Sequence, residues 1–308
     1  MRIEFVKAVH ALMEKDPKSV FLTGDLGYNA LEKVAEAFGP RFLNVGVAEQ
    51  NMMGVAAGMA MTGARPWAYS IAPFATYRCL EQIRNDICLH DLPVRIVGNG
   101  GGYTYGIMGS THHALEDLGV LKPLPNIRLF FPCSNNHVAA AVAQMGELTG
   151  PAYLRLAISG FQNNVEPLSE NAVTLTRRYS VRSRKSARGL TIVCAGHATQ
   201  IVVAALAKEP ELDADVFGIA RYPFDLASDA DLVASIADTR RVLFLEEHYA
   251  SGGIGESFAA EVAGKVDAFV RMSAVYRKDQ RYGSAAFHLE QCGMTPATVL
   301  ATAREMLA

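Results

Sequence analysis

Short, mostly apolar runs recur along this chain, and a stretch with helical spacing follows nearly every one of them. Runs at 20–23, 42–46, 66–70, 94–98, 128–132 and 152–156 alternate with helical segments at 31–38, 49–62, 75–90 and 135–150. Several runs lack the in–out alternation of a half-exposed strand, which predicts strands covered on both faces by helices. An opening helix carries Phe5, Ala8, Val9, Leu12 and Met13 on one face. A second series starts with a run at 191–196 and continues at 216–220, 242–246 and 269–273. The last helix has Thr295 as its N-cap and Pro296 at its first position. The expected fold is α/β with two doubly wound domains. Residues 159–189 are polar, with Asn163-Asn164 and a basic run of Arg182, Arg184, Lys185 and Arg188. That run reads as a solvated linker face, which places the domains at 1–165 and 189–308 with a linker at 166–188.

Composition narrows the function classes. The 308 residues carry a net charge of -2 with the two signs well mixed, so neither nucleic acid nor an anionic membrane is an expected partner. No apolar stretch reaches spanning length, and Met1-Arg2-Ile3-Glu4 lacks a signal peptide's apolar run. The five cysteines are odd in number and include no CxxC pair. This pattern fits reduced thiols, and a cytoplasmic protein, better than a disulfide frame or a zinc site.

The most informative stretch is VGVAEQNMMGVAAGMAMTGARPWA, residues 45–68. A strand leads into a helix of small residues and methionines, with Gly54, Ala57, Gly58 and Met61 at helical spacing. Such a helix lets another backbone approach closely. One carboxylate, Glu49, stands at its entrance. Taken alone, a glutamate there is an ordinary charge complementing the helix dipole. Phe74 and Tyr77 lie one helical turn apart after the third run, and as core aromatics they would need no further explanation. Asp25 follows the first run in a turn where aspartate is common. His112 and His113 follow the glycine-rich stretch at 98–109. A lone histidine is usually structural, and an adjacent pair less so.

The 45–68 run resembles the glutamate motif of the transketolase family of thiamine diphosphate enzymes. The resemblance continues through FATYRCLEQIRND, STHHALEDLGVLKPLPNIRLFFP, GPAYLRL and LEEHYASGGIGESFAAEVA, in order and over nearly the whole chain. It implies a pyrimidine-binding domain followed by a transketolase C-terminal-like domain. It also implies that Glu49 hydrogen-bonds N1′ of the cofactor's aminopyrimidine, which favours the tautomer that takes the proton from the thiazolium C2. By the same resemblance Phe74, or Tyr77, forms the stacking wall. Asp25 matches an acidic cofactor-binding position, and His112, more than His113, assists proton transfer at the substrate.

In this family the diphosphate is held through Mg2+ by a Gly-Asp-Gly start and a later asparagine. Gly24-Asp25-Leu26 and Asn51 imitate that pattern, but the third residue is leucine and Asn51 falls inside the glutamate motif, so no metal ligands are expected in this chain. The resemblance therefore implies a separate N-terminal transketolase-like subunit that brings the Mg2+ site, an α2β2 heterotetramer, and small carbonyl substrates. Three positions depart from sugar-phosphate transketolases: glycine at Gly100 or its neighbours for a histidine, Met108 for an aspartate, and Ile158 for a phosphate-gripping arginine. These imply unphosphorylated or atypical substrates. Two rivals remain open at this stage. One is the β subunit of a 2-oxo acid dehydrogenase E1 component, and the other is a non-catalytic assembly subunit.

The remaining motifs are weak. Gly252-Gly253-Ile254-Gly255 follows a strand but lacks a dinucleotide fingerprint's third spacing. No long helix starts after the glycines at 98–102. Glu246 and His248 share one strand face without a third metal ligand.

Overall fold

The computed structural model describes residues 1–158, 166–183, 189–279 and 281–308. Asn163, Asn164, Arg184, Lys185 and Arg188 of the polar connection lie outside these residues.

The strands are β1 (Ser19–Thr23), β2 (Phe42–Asn44), β3 (Arg65–Ile71), β4 (Arg95–Asn99), β5 (Arg128–Phe130), β6 (Ala152–Leu156), β7 (Ser169–Asn171), β8 (Thr176–Ser180), β9 (Leu190–Ala195), β10 (Ala214–Ile219), β11 (Arg221–Tyr222), β12 (Arg241–Tyr249) and β13 (Ala268–Ala274). They form two sheets. The first has the order β11-β5-β6-β4-β3-β1-β2 and the second β13-β12-β9-β10-β8-β7. All pairings from β2 through β5 in the first sheet are parallel. β1, β4 and β6 are buried along their whole length, as their apolar runs require when helices cover both faces. One face packs Phe5, Val9 and Met13 of the first helix against Phe21, Trp67 and Tyr69. The other takes Met52, Met53, Ala56 and Ala60 of the helix Glu49–Met61.

Three features depart from the sequence expectation. Residues 169–180, read as linker, form the hairpin β7–β8, which joins the second sheet antiparallel to β10. Short strands with mixed polarity carry little periodicity. β11 leaves the second series and pairs antiparallel with β5 at the edge of the first sheet. The helix expected over 75–90 is broken into Ala72–Thr76, Leu80–Gln82 and a π-helical turn, Ile83–Cys88.

A buried polar cluster joins the two halves. Arg155 of β6 donates to Asp117 (3.0 Å) and to the carbonyl of Glu247 in β12 (2.9 Å). Tyr153 donates to the same Asp117 carboxylate at 2.7 Å. His248 donates from Nδ1 to the Tyr249 carbonyl and accepts the Gly119 N–H at Nε2 (3.1 Å), which fixes its tautomer. His248 is thus occupied in holding the halves together.

Candidate active site

In the first sheet the order runs 2-1-3-4, so the connections leave β1 and β3 in opposite directions. Ligands of open parallel sheets bind outside the carboxyl ends of the strands at such a switch point. The connections after β1, β2, β3 and β4 carry Asp25, Glu49, Phe74 and His112 respectively. The fold therefore gathers at one end what the sequence spreads over some ninety residues.

Glu49 opens the helix Glu49–Met61 and is only 1% exposed. Its Oε1 accepts from Ser70 Oγ at 3.2 Å, and its Oε2 accepts from Arg78 Nη1 at 2.7 Å. The Arg78 guanidinium lies 4.6 Å from the centre of the Phe74 ring. Phe74 meets the His112 imidazole edge-on, with centroids 5.2 Å apart, and Tyr105 approaches the same imidazole at 5.9 Å. His112 Nδ1 lies 3.0 Å from Thr111 Oγ1. Glu49, Arg78, Phe74 and His112 thus form one connected group. Arg78 and Ser70 carry no signal in the sequence alone, because each takes its role from a contact with a residue more than twenty positions away. Cys79 sits beside this group, its thiol bonded to the Phe74 carbonyl at 3.2 Å and its pKa pushed up to about 12 by burial and then by the Glu49 charge.

Tyr77 and Asp25 make other contacts. The Tyr77 hydroxyl donates to the Glu116 carboxylate at 2.9 Å and accepts the Glu116 N–H. Burial, then the Asp117 and Glu116 charges, raise its pKa above that of an ordinary phenol. Asp25 has a positive φ of 55° and exchanges two 2.9 Å hydrogen bonds with Asn44, whose Oδ1 also accepts the Gly46 N–H. Together they brace the loops after β1 and β2. Gly24, next to Asp25, touches Glu49: a Cβ there would lie 3.8 Å from its side chain. His113 turns away from His112, and its Nε2 donates to the Gly106 carbonyl at 3.1 Å.

Chemically, the site offers a desolvated carboxylate next to an aromatic plane. This pair of groups suits a flat, hydrogen-bonding heterocycle such as an aminopyrimidine. Around it the surface is apolar and open. Val47 and Ile107 are each 73% exposed, and Met61 and Met108 are exposed as well. A Cβ added at Gly54 or Gly58 would meet nothing within 4 Å in this chain. Among the described residues no group of three or more His, Cys, Asp or Glu side chains could hold a metal ion.

This two-sheet architecture, with a buried glutamate at the switch point of the first sheet, matches two known domain families. Residues 1–159 match the transketolase pyrimidine-binding domain and residues 179–299 the transketolase C-terminal domain. The chain belongs to the transketolase family. Within that family it is similar to proteins of about its own length. It is 31% identical over 229 residues to a subunit of the apulose-4-phosphate transketolase of Actinobacillus succinogenes, covering 73% of this chain and 70% of that one. It is 30% identical over 269 residues to a putative transketolase C-terminal section of Methanocaldococcus jannaschii, covering 85% and 82%. A solved structure described as a split gene transketolase, inactive beta4 tetramer, superposes with a TM-score of 0.84 at 31% identity, over 99% of this chain and 97% of that one.

Proposed function

We propose that this chain is the pyrimidine-binding subunit of a thiamine diphosphate-dependent, transketolase-like transferase that works only with an N-terminal partner subunit. The observation that carries this reading is the buried Glu49 carboxylate, set beside Phe74 and His112 at the switch point of the first sheet. Glu49 would hydrogen-bond N1′ of the aminopyrimidine, and Phe74 would supply the face on which that ring stacks. His112, half-exposed and held through Thr111, would move a proton at the substrate's carbonyl oxygen. The cofactor itself supplies the carbon-bond chemistry by which a two-carbon ketol or acyl unit passes between carbonyl compounds. Tyr77 and Asp25 shape the pocket from behind, by holding the loops at Glu116 and Asn44.

The diphosphate and its Mg2+ would be bound by the partner, because the Gly24-Asp25-Leu26 turn commits Asp25 to Asn44. The partner would dock over the open surface around Val47, Gly54, Gly58 and Met61 to give an α2β2 assembly in the cytoplasm. The beta4 tetramer named for the split-gene relative supports self-association as the alternative when the partner is absent. Gly100 and Ile158 stand where sugar-phosphate transketolases carry a histidine and an arginine, and they lie close together: a Cβ on Gly100 would meet the Tyr105 ring and the Ile158 side chain. This favours unphosphorylated or atypical substrates. A donor and acceptor screen should include pyruvate, unphosphorylated ketoses and the sugar phosphate named for the relative.

The test is co-purification with the product of the adjacent gene. Thiamine diphosphate binding is then measured by calorimetry for each subunit and for the mixture. Tight binding is expected only in the mixture. Glu49→Gln should assemble normally and lose most turnover, and near-wild-type turnover by that variant would end the proposal.

A further inference from the structure

Behind the loop that carries His112, the two halves of the chain line an open cavity of about 60 Å³. Its first wall is Tyr103 and His113. Its second wall is His288, on the helix Ala285–Gln291, and the segment bearing Arg277, Asp279 and Arg281. The floor is unusual for a domain interface. Tyr103 stacks on His288, with centroids 5.0 Å apart and planes at 10°, and His113 meets both rings edge-on. His288 is 8% exposed, and its buried Nε2 has no hydrogen-bond partner among the described residues. A buried polar atom without a partner calls for an explanation, such as an ion or a ligand. The rim supplies charge. Arg277 holds Asp279 through two bonds of 2.8 and 3.1 Å, and Arg281 reaches the same carboxylate at 3.0 Å. Two guanidiniums on one carboxylate leave a net positive charge at the mouth.

We propose that this cavity is a binding site for a tetrahedral oxyanion of phosphate's size, held by Arg277 and Arg281 at the rim and by His288 at the floor. The volume takes a few waters or one such ion. Planar guanidinium groups with unused N–H donors suit phosphate oxygens. A hydrogen bond to the bound anion would satisfy the partnerless His288 nitrogen. His113 does not compete for this role, since burial holds its pKa below the usual histidine value and its Nε2 hydrogen is committed to Gly106. The ion would be either free phosphate or the phosphate group of an organic monoester. Because Ser110 lines the cavity and begins the turn Ser110–His112, occupancy would also stiffen the loop that ends in His112.

The test uses the full chain and inorganic phosphate as the probe, titrated by calorimetry at constant ionic strength against chloride. One saturable site per chain is expected. Arg277→Gln with Arg281→Gln changes only rim residues and should weaken binding by about tenfold or more, in line with the loss of charge-assisted hydrogen bonds. His288→Phe keeps the stacking on Tyr103 and should weaken binding comparably. Absence of saturable binding, or equal affinity in the wild type and the rim double variant, overturns the proposal. Competition by a pentose phosphate would identify the monoester as the ligand, and its failure to compete would identify the free ion.

Discussion

Arg78 and Glu49, twenty-nine residues apart, form an ion pair of 2.7 Å in which the carboxylate is buried and the arginine side chain is 46% exposed. The same guanidinium lies over Phe74. One side chain therefore sets both the charge partner of the glutamate and the cover on the aromatic wall. Removing Arg78 leaves Glu49 with Ser70 alone among the described residues. Because the pair is half open to solvent, its coupling should be modest, about 1 kcal/mol. A double-mutant cycle of Arg78→Gln and Glu49→Gln, followed by urea unfolding, measures it. Additive effects would mean that the pair does not act as a unit.

The helix Glu49–Met61 has one buried face and one open face. Met52, Met53, Ala56 and Ala60 bury its inner face, while Gly54 and Gly58 look outward with open space around them. Glycine in a helix costs about 0.5–1 kcal/mol relative to alanine. Gly58→Ala should therefore stabilise the isolated chain by about that amount in denaturant unfolding. Gly58→Leu should fold equally well and fail to assemble, which size-exclusion chromatography would show. Normal assembly of the leucine variant would remove this face from the interface.

How legible all this is in the sequence depends on range. Glu49, Phe74 and His112 stand out as candidates because their motifs are contiguous, and the parallel sheet is legible because its strands are apolar on both faces. Arg78 gives no such signal, since its partner is set by how the chain turns between β2 and β3. Tyr77 has the right spacing for a stacking aromatic, yet its hydroxyl is drawn to Glu116. The hairpin β7–β8 is hidden in polar sequence because its strands pair at a sheet edge, where alternation is weak. β11 pairs through only two residues, and periodicity does not exist at that length.

Neighbouring glutamates on β12 should respond to pH in opposite ways. Burial, only partly offset by the N–H groups of Gly255 and Ile254, pushes Glu246 up to about 7. Burial also acts on Glu247, but His197, the Tyr103 N–H and Arg155 together hold it below the usual carboxylate value. For Glu246 the folded chain binds the extra proton, so its stability is fully present below about 4.5 and is lost as pH rises to 7. The shift corresponds to roughly 3 kcal/mol. Glu247 contributes above the unfolded value and loses that contribution as pH falls. Glu246→Gln should therefore remove the decline in stability expected of the wild type between about pH 4.5 and 7. Parallel pH–stability curves for the two proteins would contradict this assignment.

The strongest single dependence should lie at Asp117. Its carboxylate is fully buried and takes the Nε hydrogen of Arg155, which is itself 3% exposed, together with the Tyr153 hydroxyl. Arg155 in turn ties the Ala114 carbonyl, just after His113, to the Glu247 carbonyl in the other half. Asp117→Ala strands a guanidinium in the interior, and breaking one side of a buried pair typically costs about 3–5 kcal/mol. Asp117→Asn keeps an acceptor for Arg155 and should lose less. The loss should appear first as looser packing between the halves, because both Arg155 carbonyl contacts lie at that junction. Hydrogen exchange at β6 and β12 reads it directly. If Asp117→Ala leaves exchange there unchanged, the pair is not what holds the two sheets together.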